Sequence, residues 1–194
     1  MMQGSVVKAV AATRQPLGLA EAKDHLRVDG TDSDALISGL IDASADHLEA
    51  VTGRAFLEAS FDLTLDRFPP CILLPKGRVA SVTWIKYRDA AGDQQTLDAA
   101  DYRTDLASIP ARIVPAWGLT WPTTRGEIAD VTVRFVAGFG AHPAAVPPAL
   151  RAAALLLLGH LYERREQTVV GGNVAELPMG VPALIAPHTL YSFG

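Results

Sequence analysis

The segment Pro147–Glu166, with the sequence PPALRAAALLLLGHLYERRE, constrains the fold of this chain more than any other segment. Between Ala149 and Tyr162 only Arg151 and His160 are strongly polar, so apolar side chains surround nearly the whole helix. A helix of this kind is normally buried among other elements. Its apolar part is shorter than the roughly 20 residues that cross a bilayer, and charged residues flank it. We therefore predict a central core helix over 147–166.

Two further helices are predicted before the β-rich part of the chain, as a pair over 16–56. Leu17–Arg27 repeats its apolar residues at the spacing of one helix face. A second, longer amphipathic helix is capped by Thr31 or Asp32 and ends near Thr52.

The spacing of apolar residues changes to a period of two over 57–140, which indicates strands. Val79–Arg88 is rich in β-branched and aromatic residues, and Asp130–Ala137 alternates clearly. Gly- and Pro-containing turns separate several shorter candidates. We predict an α+β fold, in which a small helical bundle surrounds a central C-terminal helix and carries an inserted antiparallel β region.

The length of 194 residues favours a single domain, 1–194, although two small domains are possible. Residues 1–15 show no strong pattern, and we expect a loosely ordered lead-in there. No adequate secretion signal is present, so we expect a soluble protein that is used without secretion.

The charge and cysteine content exclude several classes of function. A formal net charge of −4 argues against a protein that grips nucleic acid through a broad basic face. The single cysteine, Cys71, excludes an internal disulfide framework and a cysteine-built metal site. We predict no cofactor and no metal.

Motifs for catalysis are also lacking. Gly138-Phe139-Gly140 follows a strand, but Pro143 stands where the third glycine of a dinucleotide-binding turn would be. The histidines lie far apart, and none belongs to an HExxH motif. The acidic sequence DGTDSDAL lacks the ligand spacing of a calcium loop. We expect a protein without enzymatic activity.

An acidic cluster lies on the polar side of the second helix, at Asp42, Asp46 and Glu49. Such a cluster normally forms a solvated helix face. The alternative is a surface that faces a partner or a pore.

The segment after the central helix, 167–194, is apolar but rich in glycine and proline, which prevents regular structure. An apolar segment that cannot pack by itself is covered by its own protein or by a neighbour. We predict a docking arm with a hinge at Gly171-Gly172, and the alternative is a tail that folds back on the central helix. The predicted interface residues are Arg164, Arg165, Val169, Val170, Leu177, Met179, Val181, Leu184 and Ile185.

The order of these parts resembles the head–tail connector (adaptor) family of long-tailed bacteriophages, which prophages and gene transfer agents also encode. The resemblance covers roughly Pro16 to Leu190. Gly18 departs from it, because relatives tend to have a capping Ser or Thr there. The segments that carry the resemblance are Leu19–Arg27, Ala43–Phe56, Trp117–Pro122, Val133–Gly140 and Pro147–Glu166.

This resemblance implies a non-enzymatic virion protein that needs no cofactor. Its copies, about a dozen, would form a homo-oligomeric ring beneath the portal protein and extend the DNA channel towards the tail. A tail-side stopper or tail-completion protein would bind the other end of the ring. DNA would pass without specific binding, and Asp42, Asp46 and Glu49 would face the channel, since a basic wall would hold phosphates. The protein would reach the virion from the host cytoplasm without binding a membrane.

Two alternatives remain at this point. The chain could be another connector part, such as a stopper or tail-completion protein. It could also be a small ligand-binding or hydrolytic domain that uses Trp117 and Trp121 as a platform. Joint exposure of the two indoles would favour that platform, and joint burial would dismiss it.

Overall fold

The β region forms two antiparallel sheets in the computed structural model, which describes residues 4–164 and 180–190. The larger sheet has the strand order β1-β2-β8-β4-β5 and the smaller has the order β3-β7-β6. Both sheets confirm the predicted antiparallel region. The strands are β1 Ser5–Val10, β2 Ala59–Leu65, β3 Ile72–Leu74, β4 Val79–Arg88, β5 Gln94–Thr96, β6 Tyr102–Asp105, β7 Ala111–Pro115 and β8 Val131–Ala137.

Strands β2 and β8 are neighbours inside the larger sheet, and in both strands buried residues alternate with half-buried ones along the whole length. On the buried face, the rings of Phe61 and Phe135 stack with their centroids 5.7 Å apart. On the other face, Arg134 makes an ion pair of 2.7 Å with Asp62 and lies 4.7 Å from the ring centre of Trp84. One face therefore supplies the core, and the other carries an ordered row of charged and aromatic side chains.

The helical part contains α1 Leu19–Leu26, α2 Asp34–Thr52, α3 Pro148–Glu163 and α4 Gly180–Ile185. Short 3₁₀ turns occur at Ala99–Asp101, Pro143–Ala145 and Ala186–His188. Helix α2 ends at Gly53, whose φ of 71° is the left-handed conformation that glycine adopts at low cost.

Helix α3 confirms the predicted core helix, but its side chains are not buried on all sides. Its buried residues recur at helical spacing and include Leu157. Leu161 is only half-buried, and Leu156 is 38% exposed. The helix therefore has one buried face and one partly open flank. The fully buried side chains of α3 are Leu150, Ala153, Ala154, Leu157 and Leu158.

The expectation of a loosely ordered lead-in over 1–15 is wrong for Ser5–Val10. These residues form the edge strand β1, which pairs antiparallel with β2 from Ser5 opposite Thr64 to Val10 opposite Ser60. Their backbone groups are paired by a strand that lies far along the chain, which local sequence patterns do not reveal.

The chain divides into two compact units. One combines Glu58–Gly138 with the described residues before Thr13, and it holds both sheets. The other combines Thr13–Leu57 with the described residues from Phe139 onward, and it holds the four α-helices. The predicted insertion, 57–140, nearly coincides with the central segment of the first unit, although the single domain expected for 1–194 stays a prediction.

Candidate functional site

The acidic cluster lies on consecutive turns of helix α2. Asp42 and Asp46 are exposed, while Glu49 is half-buried. One carboxylate oxygen of Glu49 accepts a hydrogen bond of 2.6 Å from the backbone N–H of Phe56. Glu49 therefore holds the chain that follows α2, whereas the other two carboxylates form the solvent-facing part of the cluster. That this face lines a channel stays a prediction.

The described end of the predicted arm, residues 180–190, packs within the helical unit. Val181 and Ile185 are buried and Leu184 is half-buried. The N–H of Leu190 donates to the carbonyl oxygen of Thr52 over 2.8 Å. These residues therefore fold back on their own unit, as the second of the two interpretations expects.

The remaining arm residues divide into two groups. Arg164 follows the last residue of α3 and is exposed to solvent. The other predicted interface residues lie outside the described residues, and their role stays a prediction. They are Arg165, Val169, Val170, Leu177 and Met179.

Arg54 fixes the segment 180–190 within the helical unit, and the sequence analysis did not predict this contact. Its Nε donates to the carbonyl oxygen of His188, and its guanidinium lies 6.0 Å from the ring centre of Phe139. Partial burial lowers the pKa of Arg54 from its ordinary value, but an arginine remains charged in a protein. The acceptor is a backbone carbonyl, so no residue type in the sequence signals this contact.

A rigid turn presents Trp117 to solvent. The N–H of Leu119 donates to the carbonyl oxygen of Ala116 over 2.9 Å, and Gly118 between them has a φ of 81°. The N–H of Ala116 in turn donates to the carbonyl oxygen of Asp101 over 2.9 Å. Trp117 is nevertheless 93% exposed. A nearly fully exposed indole on a hydrogen-bonded turn suits a protein interface, because tryptophan is enriched among the residues that contribute most to binding.

Trp121 has a different environment from Trp117. Its ring stacks on Phe68 with 4.9 Å between centroids and 10° between planes. Tyr87 also contacts Phe68, in an edge-to-face arrangement with 5.6 Å between centroids and 64° between planes. Trp121 is thus half-buried in an aromatic cluster. The two tryptophans are neither jointly exposed nor jointly buried, so they do not form the paired platform that a ligand-binding domain would use.

The smaller sheet adds exposed side chains to the same unit. Leu73 on β3 and Val114 on β7 are exposed, while their neighbours Ile72 and Ile113 are buried. On the exposed side Arg112 pairs with Asp105, which also accepts hydrogen bonds from Ser108. The hydrogen bonds from Ser108, and to a smaller extent from Arg112, hold the pKa of Asp105 well below its usual range.

The described residues contain no group of three or more His, Cys, Asp or Glu placed to hold a metal ion. Among the same residues, none of the helices combines the length and the apolar character needed to span a bilayer.

Comparison with known proteins gives a consistent set of relatives. The family described as Phage gp6-like head-tail connector protein matches residues 17–108. The chain is 30% identical to a chain from the neck of an empty gene transfer agent particle computed with C6 symmetry, with a TM-score of 0.78 over 98% of each chain. A chain from the virion of the native gene transfer agent particle is also 30% identical, with a TM-score of 0.78 over 97% of each chain.

A third solved chain comes from the neck of the native gene transfer agent particle computed with C12 symmetry. It is 32% identical, with a TM-score of 0.74, and the match covers 100% of this chain and 98% of the other. A comparison with curated proteins finds no match.

Proposed function

Because the chain belongs to the Phage gp6-like head-tail connector family, we propose that its copies form a ring in the virion neck, between the portal protein and the tail-side connector. The protein is a structural head–tail connector, and its family is not a family of enzymes. The observation that carries the proposal is the likeness to neck chains over 98% of each chain. Before assembly, we place the protein in the host cytoplasm.

A ring is supported by the symmetry of the related particles. Their necks are computed with C6 and C12 symmetry, so the chains in them repeat around an axis. A cyclic ring of identical subunits needs two different surfaces on each subunit, one for each neighbour. The rigid turn at Trp117 and the two edges of the larger sheet offer distinct surfaces of this kind.

The proposed contact with the portal is tested by mixing the protein with its cognate portal and measuring the mass of the complex. We expect a complex that contains several copies of this chain for each portal ring. Free protein that stays monomeric is compatible with the proposal, because a ring can form on a template. No binding at micromolar concentration would contradict it.

The proposed passage of DNA places Asp42 and Asp46 on the channel wall, because carboxylates repel phosphates and allow DNA to slide. Replacing both by lysine should make the assembled ring bind double-stranded DNA with strong salt dependence. Lysine substitutions at Asp24 and Asp29, which are exposed and lie outside α2, are the matched control for a change in net charge. Equal DNA binding by both double variants would contradict the assignment of the channel wall to α2.

A further inference from the structure

Two carboxylates meet at one end of the larger sheet. Strand β2 ends at Leu65, opposite Val131 at the start of β8. Asp66 and Asp130 are the next residues beyond that pair. Because side chains alternate along a strand and the pair Leu65–Val131 is buried, both aspartates are placed on the opposite face. Residues at opposite positions of antiparallel strands have Cβ atoms about 4.5–5.5 Å apart, and like charges there are destabilising. A cation between the two would relieve the repulsion.

The loop before β8 is held by both carboxylates. The N–H groups of Gly126 and Glu127 donate to Oδ2 of Asp130 over 2.6 Å and 2.8 Å. The N–H of Ala129 donates to Oδ1 of Asp66 over 3.0 Å. One short loop therefore contacts both side chains and keeps the two carboxylates at the same place.

The other oxygen of Asp130 has no donor. Asp130 is only 2% exposed, and its Oδ1 is buried without a hydrogen-bond partner among the described residues. A buried charge is unfavourable unless hydrogen bonds or a counter-charge replace its hydration, so this oxygen calls for a water molecule or an ion. A water molecule donates over about 2.7–2.8 Å, whereas calcium lies about 2.3–2.6 Å from its oxygen ligands. A cation can therefore reach an oxygen that is closed to water.

The arginines around the pair do not neutralise it. Arg125 makes an ion pair of 3.0 Å with Glu127. Arg88 lies beside Asp130 on β4, and its backbone N–H donates to the carbonyl oxygen of Asp130 over 2.9 Å. The side chains of Arg88 and Arg67 belong to exposed residues and make no ion pair within the part of the chain that the structure describes. The two carboxylates therefore keep a negative charge that these side chains do not compensate.

We propose that Asp66 and Asp130 bind a calcium ion at this end of the larger sheet. Oδ1 of Asp130 and the second oxygen of Asp66 are the charged ligands, and backbone carbonyl groups and water complete the set of oxygens that calcium takes. Because the described residues offer no cluster of three or more acidic, His or Cys side chains, the site has few charged ligands. Sites of this kind bind calcium with dissociation constants of about 0.1–1 mM.

The site fixes the loop that carries Ile128. This residue is 88% exposed and lies between Glu127 and Ala129, whose N–H groups bond to the two carboxylates. Bound calcium makes the order of the loop, and with it the stability of the β unit, depend on the ion. The sequence analysis predicted no metal because it relied on cysteine content and motif spacing, which do not report oxygen ligands that strand pairing brings together. The proposal does not depend on the proposed ring.

Nuclear magnetic resonance of the full chain during titration with calcium chloride tests the site. The amide signals of Gly126, Glu127 and Ala129 should shift along one saturation curve, with a midpoint of about 0.1–1 mM. The melting temperature should rise by about 3–6 °C at ten times the dissociation constant, because the ion binds only the folded state. Sodium chloride at the same ionic strength should cause neither change.

Asp66→Asn should abolish both responses to calcium. The variant should still fold, since the side-chain oxygen of asparagine can accept the hydrogen bond from Ala129. Asp101→Asn, at an exposed aspartate of the same unit, is the matched control and should respond like the parent. The proposal is overturned by a parent whose loop amides do not shift at about 10 mM calcium, ten times the weakest expected dissociation constant. An Asp66→Asn variant that responds fully would overturn it as well, and neither result would affect the proposed ring.

Discussion

The backbone N–H of Leu190 donates a hydrogen bond of 2.8 Å to the carbonyl oxygen of Thr52, the last residue of helix α2. The final carbonyl groups of a helix have no acceptor role within the helix, so they need an outside donor. Arg54, two residues further on, donates from Nε to the carbonyl oxygen of His188. Two polar contacts thus tie residues 180–190 to the end of α2.

The contribution of this segment to stability can be measured at Ile185, which is buried. Ile185→Ala should lower the free energy of unfolding by about 2–5 kcal/mol, because it removes buried apolar surface and leaves a cavity. Leu184→Ala is the matched control, since Leu184 is half-buried and should cost less. Chemical denaturation of both variants gives the comparison. Equal losses would show that Ile185 does not belong to the core.

Truncation after Gln167 tests whether the segment 168–194 belongs to the core or acts as a docking arm. The shortened protein lacks the buried side chains of Val181 and Ile185 and the hydrogen bond from Leu190. We therefore expect a lower melting temperature, measured by circular dichroism. An unchanged melting temperature together with lost portal binding would instead support a docking arm over the whole of 167–194.

Helix α3 gives a third stability prediction. Leu157 is buried in the helical unit, so Leu157→Ala should lower the free energy of unfolding by about 2–5 kcal/mol. Leu156 is the adjacent control, because the same substitution on the exposed flank removes less buried surface. Denaturant titration of the pair should separate them clearly. An unchanged midpoint for Leu157→Ala would contradict a core role for this helix.

The strands that the sequence predicts best are those whose own residues favour an extended backbone. Strand β4 has the predicted bounds Val79–Arg88, and its aromatic and β-branched residues favour an extended backbone wherever the strand lies. Strand β1 was missed because most of its side chains are exposed, which removes the alternation. Its conformation depends on pairing with Ala59–Leu65, which a local pattern cannot show.

The same distinction explains which surface residues and contacts the sequence predicts and which it does not. Asp42 and Asp46 are exposed as predicted, because the apolar arc of α2 fixes which side faces the core. The contact between Arg54 and His188 uses a backbone carbonyl, so the sequence carries no sign of it. Likewise, the pairing of Phe68 with Trp121 joins residues that only the folded chain brings together.

The ion pair between Asp105 and Arg112 predicts a pH dependence of stability. Hydrogen bonds from Ser108 and Arg112 lower the pKa of Asp105 in the folded state. A carboxyl group of this kind stabilises the folded protein above its unfolded pKa of about 3.9, and the contribution fades as the pH falls below that value. Asp105→Asn should therefore be less stable than the parent near pH 6, and the difference should shrink towards pH 2.

Urea denaturation across this pH range measures the effect. Ser108→Ala removes one donor to Asp105. It should therefore cause a smaller loss of stability near pH 6, and this loss should also shrink towards pH 2. A gap between parent and Asp105→Asn that widens at low pH would contradict the lowered pKa.

Substitutions at Trp117 and Trp121 distinguish an effect on assembly from an effect on stability. Trp117 is 93% exposed at the tip of its turn, whereas Trp121 stacks on Phe68. Trp121→Ala should lower the free energy of unfolding by about 1–3 kcal/mol, less than the roughly 3–5 kcal/mol that a fully buried tryptophan costs. Trp117→Ala should leave the melting temperature unchanged, because it removes almost no buried surface.

Assembly with the portal should show the opposite order. A tryptophan at the centre of an interface typically contributes at least about 2 kcal/mol, so Trp117→Ala should weaken formation of the ring about 30-fold. Trp117→Phe should retain part of the affinity, since it keeps an aromatic ring on the same rigid turn. Mass measurements at graded protein concentrations, paired with thermal melts, read both quantities from the same samples. Normal assembly of Trp117→Ala would remove this turn from the interface, and a lowered melting temperature would show that the indole contributes to its own unit.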